Sequence, residues 1–298
     1  MLVESVPWVQ DQLLTGERHV TDVPFWFFLF ALWGFGLLFG SFANVVIWRF
    51  PRGESLSTPG SHCPQCDVPI AWYDNVPLLS WMVLRARCRH CGARISPRYP
   101  LVEAASGALW LLSGVVFGMT VRTGFAVIFS YVLLILTFID IDHRRLPNKL
   151  VGALGVVGVL GVAAGALLGT PALPLVGLSR DGVLSTAPVS AALGVLLGGG
   201  LSLAIAGLYR VARGRTGLGM GDVKLLGVMG LYLGPYVLMA LMLGSILGAS
   251  WGILATPRQD GISATHIPFG PFLAAGAVVT AAVGPALWNA YAHAVGIG

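Results

Sequence analysis

The chain has 298 residues, of which 56% are hydrophobic and 10% charged, with a mean hydropathy of +0.80. Soluble domains carry about 25% charged residues, so this composition excludes an ordinary water-soluble enzyme and points to a polytopic helical membrane protein. The net charge of +5 reads as a topology signal; the lipid bilayer is an expected partner and nucleic acid is not.

Residues 1–23 contain Glu4, Asp11, Glu17, Arg18 and Asp22. They are too charged for the core of a cleavable signal peptide and are expected as an extracytoplasmic segment. An apolar run over 24–48 is long enough to stay as the first spanning helix. A polar insert occupies 49–100. The rest, 101–298, reads as a transmembrane bundle with apolar segments near 101–119, 123–141, 150–169, 187–209, 222–233, 235–255 and 267–295. The sixth span is short, and Gly234-Pro235 breaks what would otherwise be one very long run. The predicted fold is all-α, about eight transmembrane helices with a small cytoplasmic zinc-binding insert. Forty glycines suit close helix approach in a membrane.

The charges test this count. The insert carries Arg49, Arg52, Arg85, Arg87, Arg89, Arg94 and Arg98; later clusters are Arg144, Arg145, Lys149 and then Arg210, Arg213, Arg215, Lys224. Between them stand single residues, Arg122 and Arg180, and Arg258 marks the last basic loop. Basic and nearly uncharged loops alternate, so 15 of the 18 Lys and Arg residues fall on one side. That side is expected to be cytoplasmic, with both termini outside.

All four cysteines lie in the insert, as Cys63-Pro-Gln-Cys66 and Cys88-Arg-His-Cys91, with 21 residues between the pairs. Two C-x-x-C turns at this spacing can supply four thiolates to a structural zinc, and so small a module needs a staple. Two disulfides, or redox-active thiols, are the competing readings; the cytoplasmic placement favours zinc. His62 and His90 flank the sulfurs and read as exposed loop residues.

Four carboxylates sit within or beside apolar runs: Glu103, Asp140, Asp142 and Asp222. Ionisable groups in a span are costly and tend to be functional. Asp222 can also be a helix cap, and Asp140 with Asp142 an interfacial pair neutralised by Arg144 and Arg145, or part of an Asp-x-Asp metal motif. Two carboxylates about 3 Å apart share a proton, so one can activate a water while the other donates to a peptide carbonyl. Asp140 and Asp142 cannot both face one site on a continuous helix, because positions i and i+2 lie roughly 200° apart.

The ordered set of motifs resembles the type IV prepilin peptidases. It runs from Gly40-Ser-Phe-Ala-Asn-Val-Val-Ile-Trp-Arg-Phe-Pro51 through both cysteine pairs and Trp72-Tyr-Asp-Asn-Val-Pro-Leu-Leu-Ser-Trp81. It continues with Ile95-Ser-Pro-Arg-Tyr-Pro-Leu-Val-Glu103, the Asp140 segment to Pro147, Gly219-Met-Gly-Asp222 and Ile267-Pro-Phe-Gly-Pro-Phe272. The resemblance covers nearly the whole chain. It implies Asp140 and Asp222 as the catalytic pair, with Asp142 a secondary candidate; Cys63, Cys66, Cys88 and Cys91 are the zinc ligands that the spacing predicts. It also implies prepilin or pseudopilin substrates, cut after a short basic leader, and methylation of the new amino terminus with S-adenosylmethionine. The implied location is the bacterial inner membrane. Arg85-Ala86-Arg87 departs from relatives, which often carry a glycine before the second cysteine pair. Gly34-Phe-Gly36 reads as helix packing, so methyl transfer rests on the resemblance. A peptidase without methyl transfer is the runner-up, and a proton-coupled transporter is the reading from another class.

Overall fold

The computed structural model describes residues 23–169, 172–176, 186–214, 218–255 and 268–296. The expectations for 1–22, for most of the 170–186 spacer, and for Arg215 and Arg258 lie outside the described residues. Ten α-helices carry these residues: α1 (Phe25–Arg49), α2 (Leu79–Val83), α3 (Arg98–Phe117), α4 (Val121–His143), α5 (Asn148–Leu168), α6 (Ala187–Val195), α7 (Leu201–Arg213), α8 (Met220–Leu233), α9 (Val237–Ala255) and α10 (Gly270–Val295). A π-helical turn, Leu196–Gly200, joins α6 and α7 into one run.

Helix ends follow the punctuation in the sequence. Pro51 and Gly53, at φ +70°, stop the first span. Gly118, Gly169, Gly214 and Gly296 close α3, α5, α7 and α10, each at positive φ, where the missing Cβ removes the steric penalty. Pro147 and Pro271 lie at helix starts, where a missing amide costs no hydrogen bond.

Seven segments are long and apolar enough to cross a membrane, counting Met220–Leu254 as one. That segment has 35 residues. As one straight helix it would span about 52 Å, well beyond a hydrocarbon core of about 30 Å. It is broken at the expected place, in a 3-10 turn over Gly234–Tyr236. Positions on both sides of the break, Leu226 and Val237, lie against Gly198, so the chain turns back there. The break divides the segment into the sixth and seventh spans read from the sequence.

The contacts divide the chain into two compact units, Met1–Thr123 and Gly124–Gly298. In the first unit α1 and α3 run antiparallel at close range. A Cβ on Gly36 would lie 2.8 Å from the Gly107 Cα, and one on Gly40 would lie 2.6 Å from the Glu103 Cα. Lipid tails give no hydrophobic drive for helices to associate, so backbone proximity and dispersion do the holding. At the insert end of the pair, Asn44 donates to the Gly40 and Tyr99 carbonyls, and the Arg52 guanidinium lies 3.7 Å over the Trp48 ring.

In the second unit α8 is the central helix. Val223, Leu225, Leu226, Met229, Tyr232 and Leu233 are all buried along it. Helix α5 lies parallel to it, with Lys224 Nζ bonded to Asn148 Oδ1 at 3.0 Å near one end and Tyr232 Oη donating to the Leu154 carbonyl farther along. The α6 run lies antiparallel, with Ser190 beside Gly234, Gly194 against Gly230 and Gly198 against Leu226. Helices α9 and α10 pair antiparallel through Gly244 and Gly276. Consecutive helices reverse direction here, as the alternating loop charges imply.

The Gly194–Gly230 crossing leaves no room for a methyl group, since a Cβ on either glycine would fall 2.2 Å from the partner's backbone. Gly230→Ala should therefore cost about 1–3 kcal/mol through forced backbone shifts. Gly207→Ala, where a Cβ meets nothing within 4 Å, should be neutral or gain up to about 1 kcal/mol from helix propensity. Thermal unfolding of the two variants in detergent checks the contrast.

Candidate active site and cysteine cluster

The last turn of α4 presents Asp140, 5% exposed. Its Oδ2 accepts the Gly270 backbone N–H at 3.0 Å across 130 residues of sequence. Gly270 is the first residue of α10, after the Phe269 N-cap, so one of that helix's orphan amides finds its acceptor in the carboxylate. Glycine leaves room for this bond, since a Cβ at position 270 would lie 2.7 Å from Asp140 Oδ2 and displace the carboxylate.

Asp222 stands in the first turn of α8, half-buried, three residues after the N-cap Gly219. Its carboxylate accepts the Gly219 backbone N–H, while the Val223 N–H donates to the Gly219 carbonyl at 3.2 Å. The side chain thus closes the helix start as the third residue of a capping box does.

Leu146 fixes how these two ends meet. Its side chain lies against position 270 and also against Gly221, where a Cβ would be 3.3 Å from Leu146 Cβ. The start of α8, the start of α10 and the loop after α4 are therefore packed together, and Asp140 lies within electrostatic range of Asp222. The two carboxylates come from different helices, 82 residues apart in sequence.

The other two carboxylates go elsewhere. Helix α4 is continuous to His143, so Asp142 points well away from Asp140, and it is exposed. Glu103 belongs to the first unit. It is buried and accepts the Leu78 N–H at 2.9 Å and a bond from Ser41. The sequence did not single out Gly270 or Leu146 for the site. Gly270-Pro271 does carry a local helix-start signal, but its carboxylate partner is not local.

The cysteines form two matching turns. Cys63 N–H donates to Val68 O, and Asp67 N–H to Cys63 O; Cys88 N–H donates to Ala93 O, and Gly92 N–H to Cys88 O. Each turn is closed by an isolated antiparallel bridge, His62 with Pro69 and Arg87 with Arg94. The residue four after the first cysteine is left-handed in both, Asp67 at φ 55° and Gly92 at φ 70°. All four cysteines are free thiols, and their sulfurs lie within 4.8 Å of one another. Cys63 and Cys91 Sγ are 3.8 Å apart, as expected for two thiolates about 2.3 Å from one tetrahedral zinc. Backbone amides of Gln65 and Cys66 hold the Cys63 thiol down to about 7. Those of Cys91 and His90 lower Cys88. The Val68 amide pulls Cys66 down too, yet burial and the crowding sulfurs push it up to about 12. A divalent cation relieves that crowding, so the donor set fits a metal. His62 and His90 are exposed and outside the cluster. Beside it, Arg89 grips Asp74 in a two-pronged bond at 2.7 and 2.6 Å and holds that carboxyl below the usual range.

An integral membrane protein with two carboxylates at one end of one helical unit and a four-thiol cluster in the other is the class these features define. The chain belongs to the type IV leader peptidase family. Residues 127–253 match the family of that description, and residues 35–117 match the Bacterial Peptidase A24 N-terminal domain. It is 34% identical to a prepilin leader peptidase/N-methyltransferase of Stutzerimonas stutzeri, over 88% of this chain and 92% of that protein. It is 40% identical to one of Myxococcus xanthus, over 76% of this chain and 62% of that protein. It is 35% identical to a type 4 prepilin-like proteins leader peptide-processing enzyme of Escherichia coli, over 82% and 90%. No solved structure matches the chain.

The second knuckle stores backbone strain. Arg85 and Ala86 both sit at positive φ, 51° and 57°, while Ala86 donates to Trp81 O and accepts from Ile95 N. A left-handed residue with a Cβ costs about 1–2 kcal/mol. Ala86→Gly should therefore stabilise the insert by about 1 kcal/mol, read as slower proteolysis of residues 50–97 and a higher thermal midpoint. No gain would mean that the strain is relaxed in solution.

Proposed function

We propose that this protein is an aspartyl peptidase that removes the leader of type IV prepilins or pseudopilins, with Asp140 and Asp222 as its catalytic pair. The observation that carries the reading is that the end of α4, with Asp140, and the start of α8, with Asp222, pack together through Leu146 at one end of the second unit, within electrostatic range of each other. One carboxylate, ionised, takes a proton from water as the water oxygen attacks the scissile carbonyl. The other, protonated, donates to the carbonyl oxygen. The tetrahedral diol then collapses: one of its hydroxyls returns a proton to the carboxylate that donated, the carbon–nitrogen bond breaks, and the proton taken from water passes to the leaving amine, which restores both carboxyls. Gly270 N–H orients Asp140 and Gly219 N–H orients Asp222 while this happens. The reading places the pair at the cytoplasmic face of the bacterial inner membrane, because Arg144, Arg145, Lys149, Arg210, Arg213 and Lys224 lie at that end of the unit's helices; the insert is assigned to the cytoplasm separately, on its own seven arginines.

Removing either carboxylate should abolish nearly all cleavage, and the double variant should be little worse than a single one, because the two act as a unit. Asp222→Asn is the sharpest form, since it keeps size and hydrogen bonding. Asp142→Asn should retain most activity, as the helix turns its side chain away from Asp140. Cleavage of a model prepilin in detergent reads this out; an active Asp222→Asn enzyme would sink the mechanism.

Cys63, Cys66, Cys88 and Cys91 would hold one zinc, which supplies structure by pinning the two turns together. Elemental analysis should give one zinc per chain. Cys63→Ser should lower that ratio and expose the insert to trypsin, because metal binding and folding share their free energy in so small a module. The peptidase chemistry should suffer less than substrate handling.

Methyl transfer from S-adenosylmethionine follows from the likeness to the named relatives. Gly36 of α1 packs on Gly107 of α3, while a Cβ on Gly34 would meet nothing within 4 Å, so the reading of Gly34-Phe-Gly36 as helix packing is supported at Gly36. No residue is assigned to the methyl donor.

A further inference from the structure

The segment Val76-Pro-Leu-Leu-Ser-Trp-Met-Val-Leu84 is apolar apart from Ser80, yet it belongs to the polar insert. Its side chains divide sharply. Ser80 is buried and bonded to Tyr73 O and the Val76 N–H, and Trp81 Nε1–H donates to Ile95 O. Leu79, Met82 and Val83 face outward, Val83 at 75% exposure. Trp72, 82% exposed, adds a large apolar surface nearby, and Tyr73, Val76, Leu79 and Val83 line a shallow groove of about 250 Å³ that also includes Ser80 and the mutually bonded Asp74 and Arg89.

The depth of this segment is fixed by Glu103. The Leu78 N–H bonds to Glu103 Oε2, five residues into α3, which is about 8 Å along the helix axis from its start at Arg98. At that depth α3 already presents Leu101 outward, 60% exposed, and the facing position on α1 is Gly40. Leu79 and the α2 turn are therefore drawn down beside two membrane-spanning helices. Arg85 and Arg87 follow directly, both exposed, while the neighbouring Arg89 is committed to Asp74. Residues 49–98 carry seven arginines against Glu54, Asp67 and Asp74.

We infer that α2 and its flanks, Trp72 to Leu84, lie in the adjoining lipid leaflet as an interfacial element, with Arg85 and Arg87 on anionic headgroups. Apolar side chains continuous with the lipid-facing surface of a span, rimmed by basic residues and an aromatic, are what such elements present to a membrane. The charge argues against the basic leader of a prepilin as occupant, since Arg85 and Arg87 would repel it. This inference does not depend on the catalytic reading.

The test uses full-length, zinc-loaded protein in nanodiscs of phosphatidylcholine with phosphatidylglycerol. A nitroxide-bearing residue is introduced at position 83, at Leu101 as a lipid reference, and at exposed Ser57 as a water reference. Collision with oxygen, which enters lipid, is compared with collision with a nickel chelate, which stays in water. Position 83 should behave like position 101. Behaviour like position 57 would overturn the inference, and shielding from both reagents would overturn it in favour of a protein partner. In a second arm, Arg85→Gln and Arg87→Gln should reduce the preference for spin-labelled phosphatidylglycerol over phosphatidylcholine, roughly five-fold for each arginine lost. An unchanged preference would refute the headgroup contact.

Discussion

The hydrogen bond from the Gly270 amide to Asp140 joins the end of α4 to the beginning of α10, and the second unit is arranged around the possibility of making it. A carboxylate held away from bulk water needs a donor within reach. Helix N-termini are the natural source, because their first amides have no partner inside the helix and their partial positive charge suits an anion. Both candidate catalytic groups use this solution, Asp140 on α10 and Asp222 on the start of its own helix α8. For both helix starts to arrive at one place, α8 and α10 must begin at the same end of the unit. The reversal at Gly234–Tyr236 and the antiparallel α9–α10 pair bring this about.

Glycine contacts supply the precision. Gly194 against Gly230 and Gly198 against the Leu226 carbonyl set the height of α8 relative to the α6 run. The π turn at Leu196–Gly200 lies in the same stretch, and it lets the run keep its glycines facing α8 through several turns. An error in that height would move Asp222 along the axis. The packing that looks remote from the chemistry is thus what registers one carboxylate with the other.

Much of this was legible in the sequence because the signals were local or compositional. Apolar length gave the spans, and loop charge gave their alternating directions. Two C-x-x-C pairs gave the thiol cluster, and Asp140 and Asp222 stood out as acids beside apolar runs. Gly270 did not stand out, since its partner lies 130 residues away and only its helix-start character is local. Leu146 was hidden for the opposite reason: a leucine in a loop carries no signal until the two helix starts on either side of it are known. The apolar run over 76–84 is masked in the sequence by the arginines that dominate the insert's composition, and its attachment to α3 depends on one long-range bond, from Leu78 to Glu103.

The four membrane-edge carboxylates show what residue type leaves undecided. Each is an acid next to an apolar segment, and by cost of burial alone all four would be functional candidates. Their fates separate according to the nearest free amide. Asp140 meets the start of another helix, and Asp222 meets the start of its own. Glu103 meets Leu78, which sits at a φ of 60°, so this acid fastens a loop of the insert to α3. Asp142 lies two residues beyond Asp140 on a helix that does not unwind until after His143, so it cannot share the Gly270 amide and faces outward. The helix period separates these two neighbours. A pairing read from their closeness in sequence would have joined the acids that the fold holds apart, and missed the one, 82 residues on, that it brings within electrostatic range.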